Sequence, residues 1–242
     1  MQVKHVHTIL IISLFLAISL HAQKSLPGKA LRSGSFQTVE DTMDINNIEL
    51  QIDNSGGIAD VNVSYYPAGS SLSFLFSAGV GLTGIVNGEL RTGWSHRNSL
   101  IDELQPGPIG ANPSDSLDGI YEVTSDDTFG SENYIAWEKA VMAGADFQDL
   151  NGDGVYDPNI DRPDLLGDKT LWTVYNDVTD LAQRSPRLMT SPLNIEIQQT
   201  VWGYESTDDV GDIIFFRYRV INKGSDTIED AILTFTADPD IG

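Results

Sequence analysis

Short runs in which apolar and β-branched residues alternate with polar ones recur along this chain, and that period of two is the signature of half-buried strands. Such runs fall at Ile48 to Ile52, Ala59 to Tyr66 and Ser73 to Val80, each bounded by turn residues such as Asn54-Ser55-Gly56-Gly57 and Pro67. Leu82 to Val86 and Glu89 to Trp94 flank Asn87-Gly88. Asn-Gly between two such runs predicts a hairpin, because both central residues of a type I′ turn need positive φ. Gly119 to Thr124 reads as one more strand, Leu171 to Tyr175 as a buried one and Leu193 to Tyr204 as a long alternating one. Asp212 to Asn222 and Thr227 to Ala237 are expected to pair around Lys223-Gly224-Ser225-Asp226. In the first of these, Ile214, Phe216, Tyr218 and Val220 alternate with Ile213, Phe215, Arg217, Arg219 and Ile221, and bulk on both faces predicts a central sandwich strand.

One segment breaks the period. Ser131 to Ala143 places Tyr134, Ile135, Trp137, Val141 and Met142 on an apolar side, with Ser131 able to cap the start and Gly144 the end, so a helix is predicted there. Residues 105–130 carry Pro106, Pro108 and Pro113 among Gly, Asp and Ser, and read as a surface excursion. The expected fold class is mostly β: antiparallel sandwich units, Ig-like or jelly-roll-like, with one short helix and an acidic loop. The expected organisation is a signal over 1–22, a flexible leader over 23–44, an N-terminal β region over 45–130, helix plus acidic loop over 131–170, and a β-sandwich region over 171–242. That last region breaks off in the acidic turn Asp238-Pro239-Asp240-Ile241-Gly242, which reads as the N-terminal fragment of a longer protein.

Composition adds a location. Lys4 precedes an apolar run from Ile9 to Leu20 and a small-residue boundary at His21-Ala22 before Gln23, the layout of a cleaved secretory signal. The run falls short of the roughly 20 apolar residues that span a bilayer, so no membrane span is expected after cleavage. The net charge is -21, and because Lys4 is the only charged residue in the signal, removal makes it -22. Nucleic acid and anionic lipid are poor partners for such a field. No cysteine is present, so disulfides, thiol chemistry and lipid attachment at a boundary cysteine are excluded.

Asp149-Leu150-Asn151-Gly152-Asp153-Gly154-Val155-Tyr156-Asp157 sets oxygen-bearing side chains at every second position around glycine. Calcium takes six to eight oxygens, and Asp149, Asn151, Asp153 and Asp157, with the Val155 carbonyl, would supply most of them from one loop. The position that holds a closing Glu in a helix-loop-helix site is Ile160 here, so closure falls to Asp161, to Asp164 or to a more distant group. The competing reading is a solvated acidic turn whose side chains bond their own backbone. A structural calcium ion is the expected cofactor.

Other chemistry is sparse. His5, His7 and His21 lie in the signal, which leaves His96 and excludes a multi-histidine zinc site, and no Gly-x-Ser-x-Gly elbow exists. No catalytic residue is assigned. Trp94, Trp137, Trp172 and Trp202 would form a sugar-stacking platform if they shared one exposed face, but their apolar settings favour core packing. Asp208-Asp209-Val210-Gly211-Asp212 reads as a hairpin connection, and Asp177 and Asp180 are within chain reach of the acidic loop.

Several phrases resemble a family of large secreted proteins of Bacteroidota that end in a type IX secretion sorting domain. They are Met43-Asp44-Ile45-Asn46-Asn47-Ile48, the Gly-rich hairpin from Phe76 to Trp94 with Pro106-Gly107-Pro108 after it, and Asp149 to Pro158 followed by Asp161-Arg162-Pro163. Gly167 to Asp177 and the final Asp238 to Gly242 complete the set. The resemblance implies export to the cell surface or beyond and brings no reaction with it. The expected function is therefore a calcium-stabilised structural or adhesive module whose partners are extracellular polysaccharide or cell-surface components. The alternatives are a carbohydrate-binding module and the non-catalytic part of a secreted hydrolase.

Overall fold

The structure is a computed structural model that describes residues 38–59, 63–95, 104–179 and 190–239. The predicted signal and most of the leader lie outside the described residues, as do His96 and Asp180. The elements run β1 (Glu40–Met43), β2 (Glu49–Asp53), β3 (Ser64–Tyr65), β4 (Ser77–Val86), β5 (Glu89–Trp94), β6 (Gln105–Pro106) and β7 (Ile120–Thr124). After α1 (Glu132–Met142) come β8 (Phe147–Gln148), β9 (Arg162–Pro163), β10 (Lys169–Asn176), β11 (Ile195–Gly203), β12 (Phe215–Asn222) and β13 (Glu229–Asp238). The fold is mostly β, and every strand pairing is antiparallel.

Side-chain alternation on β10 sorts the chain into layers. Leu171 and Tyr175 point into one core, with Met43, Ile52, Val80, Leu82, Ile197 and Phe216. Trp172 and Val174 point the other way, into a second core with Trp137, Ala140 and Val123. The sheet β12-β11-β10, extended past β10 by β6 and β7 in line, is therefore covered on both faces. One cover is formed by β13-β4-β5 and β1-β2-β3, linked through Ile58, which bridges Ile52 and Ala78. The other is α1. Burial on two sides makes every residue of β10 buried, the polar Lys169, Thr170, Thr173 and Asn176 included.

Three expectations are corrected. The segments of β12 and β13 do not pair with each other: β13 pairs with β4, with Leu233 opposite Leu82 and Phe235 opposite Val80. The connection crosses between sheets, which brings the Phe216 and Phe235 rings to 6.3 Å across the core. β12 is an edge of its sheet rather than central. Its second bulky face is carried by Arg217 and Arg219, whose stems lie along the sheet while their guanidinium groups pair with Asp164 at 2.9 Å and Asp146 at 2.7 Å. Structure also starts inside the predicted leader, because Met43 in β1 is fully buried.

The Asn87-Gly88 hairpin is as expected, with φ of 53° and 80° at the two turn residues and Val86 opposite Glu89. Lys169, nearly buried, joins three segments by contacts of 2.9 Å to Asp44 and 2.8 Å to Glu122. Burial alone would lower its ammonium, but the Glu122 and Asp44 carboxylates outweigh that and hold it above its ordinary value.

Burial also raises Tyr121 to about 12 and pushes Tyr156, Tyr175 and Tyr218 up from 10. A raised phenol favours the fold below the ordinary value of 10, and that contribution is lost as pH climbs through the folded value. Spectrophotometric titration should therefore show these four tyrosines ionising only together with unfolding. One smooth transition of all tyrosines near 10 in the folded state would contradict it.

Candidate metal-binding loop

The acidic loop is held at its base by secondary structure and is open at its tip. Ser131 caps α1 by accepting the Tyr134 N–H, and Gly144, with φ of 108°, turns the chain out of the helix. β8 and β9 then close a two-residue ladder, Phe147 opposite Pro163 and Gln148 opposite Arg162. Between them, residues 149–155 are exposed, whereas Tyr156 returns to the core. The Tyr156 hydroxyl donates to the Tyr134 carbonyl at 2.9 Å, its ring meets Phe147 edge-on at 5.4 Å, and the Gly130 N–H donates to the Pro158 carbonyl at 2.8 Å. The loop is thus pinned to the first turn of the helix.

Inside the loop, oxygens meet N–H groups. Asp149 accepts from Gly152 at 2.7 Å through one oxygen and from Gly154 at 2.8 Å through the other. Asn151 accepts from the Asp153 N–H at 3.1 Å and donates its amide to Asp153 at 2.9 Å. Asp153 accepts from Val155 at 2.8 Å, and Asp157 from the Asn159 N–H at 2.8 Å. Gly152 and Gly154 have φ of 75° and 77° with open space around them, so backbone conformation rather than room demands glycine there.

Asp161 behaves differently from the others. It is fully buried, and its two oxygens accept from Leu150 and from Asp157, each at 2.8 Å, so one carboxylate ties the two ends of the excursion together. Asp164, the other candidate for closure, is engaged with Arg217. Asp177 is buried at the far end of β10, where it accepts from Leu193 at 2.5 Å and Ile195 at 2.8 Å. The structure therefore joins Asn151 to Asp153 directly, turns Asp149 onto the backbone of the same loop, and uses Asp161 to hold the loop's base. Among the described residues no three His, Cys, Asp or Glu side chains converge on a common point.

The tryptophans do not share a face. Trp137 and Trp172 are core residues. Trp94 lies over Gly81, on the side of its sheet turned away from the first core, while Trp202 stacks on Phe215 at 5.3 Å on the side of β11 opposite to Val201. Asp208 caps a 3-10 turn by accepting from Val210 at 3.0 Å, in keeping with a connection. The sequence reading missed the ion pairs of Arg217 and Arg219 and the Lys169 bridge. Alternation of Arg217 and Arg219 with apolar residues signals an outward face, but their acids lie on other elements. No helix among the described residues is long and apolar enough to cross a membrane. No family model, curated protein or solved structure matches this chain.

Proposed function

We propose that the chain is an exported, calcium-stabilised structural or adhesive β module of a larger cell-surface or secreted protein, with no reaction of its own. The observation that carries the reading is the acidic loop: Asp149, Asn151 and Asp153 stand at every second position of an exposed tip, Asn151 bonded to Asp153 and Asp149 to the Gly152 and Gly154 N–H groups, over a base fixed by β8–β9 and Asp161. The donor set fits the ion. All candidate ligands are hard oxygens, and a carboxylate that accepts one N–H per oxygen keeps lone pairs for a cation. The exposed tip lets an ion enter without disturbing either core. Coulomb repulsion among the acids costs on the order of 1 kcal/mol per close pair at surface dielectric, and a divalent ion removes that cost. Export is supported by the sequence of residues 1–22 and by the resemblance to secreted proteins.

The ion's effect should be moderate. With Kd of roughly 10⁻⁴ to 10⁻³ M, typical of extracellular modules, about 2 mM calcium stabilises by about 0.6–1.8 kcal/mol, which for a chain of this size raises Tm by about 1–7 °C. Calorimetry of the chain in calcium and in chelator reads this directly. Asp153→Ala should abolish the difference, and an identical Tm in both conditions for the parent chain would refute the ion's role.

A further inference from the structure

β13 is the longest exposed strand edge of the molecule's described part. It pairs with β4 along one side, and its other backbone edge has no strand partner among the described residues. From Ala231 to Ala237 it carries no charge, no Pro and no Gly. Soluble proteins blunt such edges with lysine, proline, inward charges or a covering loop, and this stretch has none of these side chains. Its core-facing residues Leu233 and Phe235 pack on the first core yet remain half-buried, because the seam between β13 and β12 has no further strand over it. On the outer face Ile232 is 61 % exposed.

We propose that this edge accepts an extended segment of a different protein, apolar at alternate positions and flanked by Lys or Arg. Charge decides the occupant. The neutral centre of β13 lies between Glu229 and Asp230 at one end and Asp238 at the other, in a chain of net charge -21. A second copy is disfavoured: the antiparallel register that sets Leu233 against Phe235 brings the acidic end of each copy, Glu229 and Asp230 at the irregularity before Ile232, against Asp238 of the other. A partner strand with basic ends instead meets an acid at each terminus, while its centre covers Leu233 and Phe235 and extends the ladder. The interaction needs no calcium, so its fate is separable from that of the acidic loop.

The test uses the full chain in chelator and a synthetic peptide of about nine residues, alternating Val and Thr between pairs of Lys. Titration calorimetry should show saturable binding, and hydrogen exchange should show new protection confined to the amides of Ala231 to Ala237. The same peptide N-methylated at alternate residues keeps its charge and should not bind. Asp230→Asn combined with Asp238→Asn should weaken binding about fivefold at low salt. Equal binding of the N-methylated peptide, or protection elsewhere, overturns the proposal. So does concentration-dependent dimerisation that protects β13 without peptide. A free chain whose β13 amides already exchange slowly, and are released by deleting residues 23–37, would show the chain's own Lys24, Lys29 and Arg32 segment in that seat and overturn it as well.

Discussion

Gly56→Ala should destabilise the fold by about 4 kcal/mol, a large share of the roughly 5–15 kcal/mol that holds an ordinary domain together. A Cβ at Gly56 would lie 2.4 Å from Cζ and 2.6 Å from Oη of Tyr175, well inside contact distance. The ring cannot retreat, since Tyr175 is fully buried and its hydroxyl donates to Gln199 at 2.9 Å. The φ of 88° at Gly56 adds a conformational penalty of about 1–2 kcal/mol for any L side chain. Gly69→Ala is the internal control, with a φ of 73° and nothing within 4 Å of its Cβ. It should show the conformational penalty alone. Urea denaturation of the two variants separates the effects, and equal losses would mean that the Tyr175 contact contributes nothing.

Asp161→Ala should cost about 3 kcal/mol even in chelator, because it leaves the Leu150 and Asp157 N–H groups without their charged acceptor and empties a buried position. Asp161→Asn keeps one oxygen and should fall between the parent and the alanine variant. Asp153→Ala, at the exposed tip, should cost less than about 1 kcal/mol under the same conditions. Hydrogen exchange should show the amides of Leu150 and Asp157 opening in Asp161→Ala while those of β10 and β11 stay protected. If Asp153→Ala and Asp161→Ala lose equal stability in chelator, Asp161 is not the brace that the geometry makes it.

What could be read without coordinates depended on how local each cause is. The Asn87-Gly88 hairpin and the span of α1 follow from turn and cap chemistry within a few residues, and both were legible. So was the every-second-residue spacing of Asp149, Asn151 and Asp153. The partner of β13 was not, since adjacency in sequence favoured β12 while burial of Leu233 and Phe235 against Leu82 and Val80 required β4. The same holds for β12, whose two bulky faces have different causes: one is core, the other is ion pairing to acids that only the folded chain brings near. Within the loop, the spacing named Asp161 as a ligand but concealed its bonds to Leu150 and Asp157, which exist only once the excursion has closed.

The ladder of β13 on β4 joins Ser77 to Asp238 and Thr83 to Ile232, so that sheet assembles only after nearly all of the intervening chain is available. Pairings so distant in sequence form slowly, because loop closure must precede the contacts that reward it. The β4–β5 hairpin forms locally, but its sheet is complete only when β13 arrives, and until then one whole edge of β4 stands open.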